Sequence, residues 1–104
     1  MTTYIFDIDG TFTDISESLS DYTNAIPDEN MIKMINYLYD QGNEIILRTG
    51  RGSTTNTDWS ELTKKQLKEW GVKYHKLEFV NKPAKYLIID DMAVSPREFW
   101  DIIE

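Results

Sequence analysis

The sequence predicts a three-layer α/β/α fold around a short, mainly parallel sheet of about four strands. Apolar stretches of strand length alternate with amphipathic stretches along the chain, and Gly or Asp residues follow most of them. Strands joined through helices pair in parallel and are covered by those helices on both faces. With 104 residues, of which 40% are hydrophobic, the chain has room for one core, so we expect a single domain over residues 1–104.

The first element is a strand. Residues 3–8 are mostly β-branched or aromatic and run into Asp9-Gly10, a turn signal, which predicts a buried strand ending near Ile8. The next stretch, Thr11–Ile26, is rich in Ser, Thr, Asp and Asn and has no clear periodicity. We expect a long loop there.

The clearest helix follows this loop. Apolar residues recur at helical spacing after Pro27-Asp28, and Gly42 lies where a glycine commonly ends a helix, which predicts a helix between these positions. Its apolar positions are Met31, Met34, Ile35 and Leu38.

The middle of the chain repeats the alternation. The run Glu44–Thr49 predicts a second buried strand. Asp58 and Glu61 have the spacing of a capping box, which predicts a helix that ends at Gly71. Residues 72–79 predict a short, weaker strand.

The last part of the chain predicts a third clear strand and a short helix. Residues 85–89 are apolar and β-prone and stop at Asp90-Asp91. Ser95 followed by Pro96 is typical of a helix start.

Composition excludes several classes of protein. Lys and Arg number 11 against 18 Asp and Glu, a formal net charge of −7, which argues against a general nucleic-acid binder. The absence of cysteine rules out a disulfide framework and a thiol nucleophile. Apolar runs such as Leu87–Ile89 are far below the roughly 20 residues of a membrane span. With no signal-peptide pattern, we expect a cytoplasmic protein without membrane association.

The residues that follow the predicted strands indicate a magnesium site. Ligands of a parallel sheet bind beyond the carboxyl ends of its strands. Four carboxylates are expected at that edge, Asp7, Asp9, Asp90 and Asp91, and they would repel one another without a cation. Oxygen ligands favour Mg²⁺. Asp90 would bind it directly, whereas direct contact from Asp91 is left open.

The same edge predicts phosphoryl transfer. Asp7 would attack phosphorus and form an aspartyl-phosphate, while Asp9 would protonate the leaving alkoxide and then deprotonate the hydrolytic water. Thr49 would donate its hydroxyl to a phosphate oxygen, and Lys82 would place a positive charge beside the transferring group.

Four more residues at these strand ends are candidates for substrate binding: Gly10, Thr11, Gly50 and Arg51. Gly10 permits close approach of the backbone. Two interpretations of Arg51 stay open, a surface salt bridge or recognition of a phosphate or hydroxyl group of the substrate. His75, the only histidine, is interpreted as a partly buried structural residue rather than a base.

These motifs, in this order, resemble the four motifs of the haloacid dehalogenase-like hydrolase superfamily. The matching segments are Asp7–Thr11, Thr49, Lys82-Pro83 and Asp90-Asp91. The resemblance implies a Rossmann-like fold and an Mg²⁺-dependent phosphatase that uses an aspartyl-phosphate. The intervals in which the family's cap domains insert are short here, so the chain resembles the capless subgroup.

The stretch from Arg51 to His75 is similar to small phosphatase-like proteins that accompany capsule and surface-polysaccharide biosynthesis. That similarity implies a sugar phosphate or another small metabolite phosphate as the substrate. Two departures from the family stand out. The family's usual final strand has no counterpart after Asp91, and Lys85 stands where relatives often have an acidic residue. Lys85 therefore competes with Lys82 for the catalytic role, and we favour Lys82 because it precedes the predicted strand.

Several alternatives accompany this hypothesis. A polynucleotide 3′-phosphatase is one, since a capless site is open to a strand end, and a basic stretch supports it: Lys64, Lys65, Lys68, Lys73 and Lys76. A catalytically quiet interaction module is another. A homo-oligomer paired through the exposed sheet edge is a third, with a neighbour supplying a lid. A calcium loop is excluded because its twelfth position would be Ser18, and a P-loop because the Gly-Lys-Ser/Thr ending is missing.

Overall fold

The computed structural model describes residues 1–14, 22–23, 25–52, 58–81, 87 and 89–103. In chain order its elements are β1 (Thr3–Asp7), β2 (Thr13–Asp14), β3 (Ile26–Pro27), α1 (Glu29–Asp40), β4 (Glu44–Thr49), α2 (Ser60–Glu69), β5 (Lys76–Phe79) and α3 (Pro96–Ile103). None of the helices in these residues combines the length and the apolar character needed to cross a membrane.

The larger sheet is parallel and has the order β1-β4-β5 in the described residues. Phe6 pairs with Leu47 and Asp7 with Arg48, so the ends of β1 and β4 lie side by side. The predicted α/β class, with a parallel sheet and three helices, is confirmed. No cap is formed by the part of the chain that the structure describes.

One face of this sheet carries the core. Along β4, buried residues alternate with half-buried ones, as expected for a strand whose side chains point to opposite faces in turn. All three helices add buried residues to the same cluster, which contains Phe6, Ile8, Phe12, Met31, Ile32, Ile35, Leu38, Ile45, Leu47, Leu67, Val72 and Phe99. On the opposite face, Ile5 is 52% exposed. The face of β1 that carries Ile5 is therefore less covered by the described residues than the core face.

Two predicted features are corrected. The strand expected at residues 85–89 is not formed at its two described positions, where Leu87 is 89% and Ile89 94% exposed. The stretch Thr11–Ile26 is not only a loop, because β2 and β3 pair in an antiparallel two-stranded sheet at its two ends. Propensity could not reveal that pairing, since each strand is two residues long.

The helix ends follow local chemistry. The Asp28 carboxylate accepts hydrogen bonds from the N–H groups of Asn30 and Met31 and caps α1. Ser95 and Glu98 cap α3 reciprocally, each side chain accepting from the other's N–H at 3.2 Å.

The start of α2 differs from the prediction. Its N-cap is Trp59, without a side-chain cap bond. The Asp58 carboxylate accepts from the Ser60 N–H at 2.9 Å, so a local turn replaces the expected capping box. Hydrogen bonds from the Ser60 side chain and N–H hold the pKa of Asp58 below its ordinary value.

Candidate active site

The exit from β1 is a tight turn held by one carbonyl. The Ile8 carbonyl accepts hydrogen bonds from the N–H groups of Thr11, Phe12 and Thr13. Gly10 lies at a φ of +86°, a conformation that residues with a Cβ rarely adopt. Because Ile8 and Phe12 are both fully buried, the turn is anchored in the core. It places Asp9 at the carboxyl end of the sheet, just past Asp7.

Asp9 and Arg51 form the central ion pair of this edge. Arg51 Nε donates to Asp9 Oδ2 and Nη2 donates to Oδ1, each at 2.8 Å. The Arg51 side chain is 1% exposed and that of Asp9 11%. Bidentate pairs of this kind are short and geometrically specific. The third bond to Asp9 comes from the Thr13 hydroxyl, which donates to Oδ1 at 2.9 Å.

The rest of the Arg51 side chain is enclosed by α2 and Tyr22. Arg51 Nη1 donates to Thr63 Oγ1 at 3.1 Å and to Gln66 Oε1 at 2.5 Å. Thr63 and Gln66 are three positions apart on α2, so they present their oxygens on the same side of the helix. The Arg51 guanidinium carbon lies 4.6 Å from the centroid of the Tyr22 ring, a cation–π contact.

This network bears on both interpretations of Arg51. It forms a salt bridge, as the first interpretation predicts, but the pair is buried rather than on the surface. Four of its five N–H groups already donate to protein acceptors, which leaves one for the predicted contact with the substrate.

Thr49 closes β4 beside this pair. It is 1% exposed, and its hydroxyl oxygen accepts from the Arg51 N–H at 3.1 Å. Its carbonyl accepts from the Val80 N–H at 2.8 Å. A hydroxyl that accepts can still donate its proton, and the donation from Thr49 to a substrate phosphate stays a prediction. Gly50 and Thr11, the other predicted substrate contacts, are half-buried next to it and in the β1 turn.

Tyr22 is part of this site, and the sequence patterns did not single it out. Its ring makes an edge-to-face contact with Trp59, with centroids 5.2 Å apart. Its pKa is raised above 10.0, chiefly by burial and then by the negative charge of Asp9, with a smaller contribution from Asp7. The sequence offered only a weak signal for Tyr22, which is one of two aromatic residues in the polar stretch Thr11–Ile26.

Asp90 and Asp91 follow the last predicted strand. Both are exposed. A hydrogen bond from the Met92 N–H, at 3.0 Å, and then one with Asp91 hold the pKa of Asp90 below its ordinary value. In the described ranges, no three His, Cys, Asp or Glu side chains are grouped so that they could hold a metal ion.

The predicted four-carboxylate magnesium site is therefore not assembled in this arrangement. Asp9 is one reason, because both of its oxygens accept hydrogen bonds from Arg51. Neither Asp90 nor Asp91, both described, belongs to a group of three such side chains that could hold a metal ion. The residues present do not fit the cation as they stand.

Three predicted residues remain, the two candidate lysines and the histidine. Lys82 and Lys85 both lie outside the described residues, so the choice between them stays a prediction. The contacts of His75 are with residues other than Asp9 and Arg51. Its Nδ1 accepts a hydrogen bond from the Ile45 N–H at 3.0 Å, and its ring stacks on Tyr39. That is a structural role, as predicted, although the residue is exposed rather than partly buried.

Comparison with known proteins adds the family. The model of the polynucleotide kinase PNKP phosphatase domain matches residues 1–91. A crystal structure of a structural-genomics target from Vibrio cholerae is similar, with a TM-score of 0.81 and 31% identity over 95% of this chain and 87% of that chain. The search of curated proteins finds no match. The matched range contains both the β1 turn with Asp9 and the end of β4 with Arg51.

Proposed function

The chain belongs to the family of the polynucleotide kinase PNKP phosphatase domain, a haloacid dehalogenase-like phosphatase, and on this premise we propose that it hydrolyses phosphomonoesters through an aspartyl-phosphate on Asp7. Asp7 is the last residue of β1 and lies next to the end of β4. One observation carries the proposal: a carboxylate at the end of β1 is followed two residues later by a second, firmly oriented carboxylate, Asp9.

The two carboxylates divide the chemistry. An Asp7 oxygen forms a bond to phosphorus as the bond from phosphorus to the leaving oxygen breaks. Asp9 gives the leaving oxygen a proton, then takes one from the water that attacks the aspartyl-phosphate, which releases phosphate and regenerates both side chains. Oδ1 of Asp9 accepts two of the described hydrogen bonds and Oδ2 one. Since each carboxylate oxygen has two acceptor positions, Oδ2 is the atom that we assign to the proton.

The proposed substrate is a small metabolite phosphate, and within this class we propose a sugar phosphate used in polysaccharide precursor synthesis. The absence of a cap among the described residues and the similarity of residues 51–75 to capsule-associated phosphatases support this class. The net charge of −7 weakens binding to a polyanion.

A polynucleotide 3′-phosphatase is the second candidate, and the family match favours it specifically. Lys64, Lys65 and Lys68 on α2 offer positive charge for a phosphate backbone. A side-by-side assay separates the two substrates. Initial rates with a panel of sugar phosphates and with a 3′-phosphorylated oligonucleotide should favour a sugar phosphate, and a preference for the oligonucleotide would select the second candidate.

Magnesium dependence is proposed from the family alone, because the described carboxylates do not form a site for it. Phosphate release from p-nitrophenyl phosphate should require added Mg²⁺ and stop with EDTA. Full activity in EDTA would remove the metal from the proposal.

The role of Asp7 has its own test. Asp7→Asn keeps the size of the side chain but removes the nucleophilic oxygen, so turnover should be abolished while the melting temperature stays close to that of the wild type. Asp101→Asn, at an exposed position of α3, is the matched control and should keep full activity. Turnover by the Asp7 variant would contradict the assignment.

A further inference from the structure

Arg51 has the environment of a framework residue rather than a ligand-binding residue. A guanidinium has five N–H donors, and four hydrogen bonds from Arg51 reach described side chains. Its flat face is covered by the Tyr22 ring. A side chain that is 1% exposed and enclosed in this way leaves little surface for a substrate phosphate.

We propose that Arg51 is a positioning residue that sets the orientation of Asp9 for proton transfer. This inference rests on the proposed function, in which Asp9 carries the proton. Arg51 and Thr13 together fill three of the four acceptor positions of the Asp9 carboxylate. Rotation of the carboxylate would break the two 2.8 Å hydrogen bonds to Arg51. The remaining acceptor position on Oδ2, which would carry the proton, is therefore held in a fixed direction.

The orientation is passed to Asp9 from helix α2. Thr63 and Gln66 each accept from Arg51 Nη1, and both residues are buried. The guanidinium is planar, so bonds that hold Nη1 also fix the plane that contains Nε and Nη2. The chain of contacts therefore runs from α2 through Arg51 to the reacting carboxylate.

Kinetics of Arg51→Lys test this role with p-nitrophenyl phosphate as the substrate. Lysine keeps the charge but loses the planar fork. We expect kcat to fall about 100-fold, the effect of a misplaced catalytic group, with KM unchanged within about twofold. The Kd of inorganic phosphate should also be unchanged. Arg48→Lys is the control, because Arg48 forms an exposed ion pair with Glu78, and it should leave both constants at their wild-type values.

A second comparison separates positioning from a merely structural role. In an Asp9→Asn background, Arg51→Lys should lower kcat by less than about twofold more, because residues that act as a unit are not additive. Full additivity would overturn the inference, as would a rise of tenfold or more in KM and phosphate Kd with kcat retained.

If Arg51→Lys does not fold, Thr63→Val takes its place: it should lower kcat and leave KM unchanged, again only when Asp9 is present. A wild-type protein without turnover on any phosphate would instead overturn the proposed function, and the positioning role with it.

Discussion

The side-chain amide of Gln66 donates a hydrogen bond to the backbone carbonyl of Tyr22 at 2.7 Å. The two residues are 44 positions apart in the chain. The same amide group accepts from Arg51, so Gln66 uses both ends of its side chain to join α2 to the segment before β3. The Asp9–Arg51 pair is thereby joined to two further parts of the chain, α2 and the segment that contains Tyr22.

Replacing Gln66 with Met should destabilise the fold by about 1–3 kcal/mol, because the change leaves a buried donor and a carbonyl without their partner. Chemical denaturation measures the difference. Gln41→Met is the control: Gln41 is exposed, and its replacement should change stability by less than about 0.5 kcal/mol. Equal effects at the two positions would show that the Gln66 contacts contribute nothing.

Helix α3 should depend on one aromatic residue. Phe99 is buried and meets the Phe6 ring edge to face, with centroids 5.4 Å apart. Phe99→Ala should therefore cost about 3–5 kcal/mol of unfolding free energy, the usual range for a buried phenylalanine. Ile102→Ala on the same helix, where the side chain is mostly exposed, should have a much smaller effect. Comparable losses would mean that α3 is not held by its contact with β1.

The raised pKa of Tyr22 predicts that the stability of the fold depends on pH in the alkaline range. Its pKa is raised in the folded protein, so between the unfolded value of 10.0 and the folded value the native state binds more protons than the unfolded state. Stability must then fall as pH rises through this window, and below it Tyr22 contributes no slope. Thermal melting across this range should show a shallower decline in Tyr22→Phe than in the wild type. Tyr37→Phe, on an exposed part of α1, controls for the loss of a phenol, and a Tyr22→Phe curve parallel to wild type would contradict the effect.

Pairing of copies through the sheet edge stays a prediction. The sequence places that edge at the predicted strand of residues 85–89, most of which lie outside the described residues. In the described order, β1 and β5 are the terminal strands. Unpaired strand edges favour association. Sedimentation velocity over a range of concentrations should detect a dimer. A mass of 12.2 kDa at every concentration would contradict the prediction.

Local patterns predicted most elements of the described fold. The N-cap at Asp28 and the reciprocal cap of Ser95 and Glu98 depend on neighbours three residues away or fewer, which is why they are visible in sequence. The β2–β3 pairing was missed because its partners are 14 and 12 residues apart, and neither strand has a pattern of its own. The exposed Leu87 and Ile89 show the opposite limit, since an apolar, β-prone stretch predicts a buried strand from residue type alone and does not record which of its side chains are buried.

The sequence by itself determined the alternation of strands and helices and the chemistry available after β1 and β4, because both depend on residue type and spacing along a short stretch. Only the tertiary structure decided how those groups meet. Asp9 and Arg51 are 42 positions apart. The spacing of residues along the chain does not show whether an arginine at a strand end faces a substrate or a carboxylate. In the structure, Thr63 and Gln66 on α2 accept from Nη1 of Arg51, while Nε and Nη2 of the same guanidinium donate to Asp9.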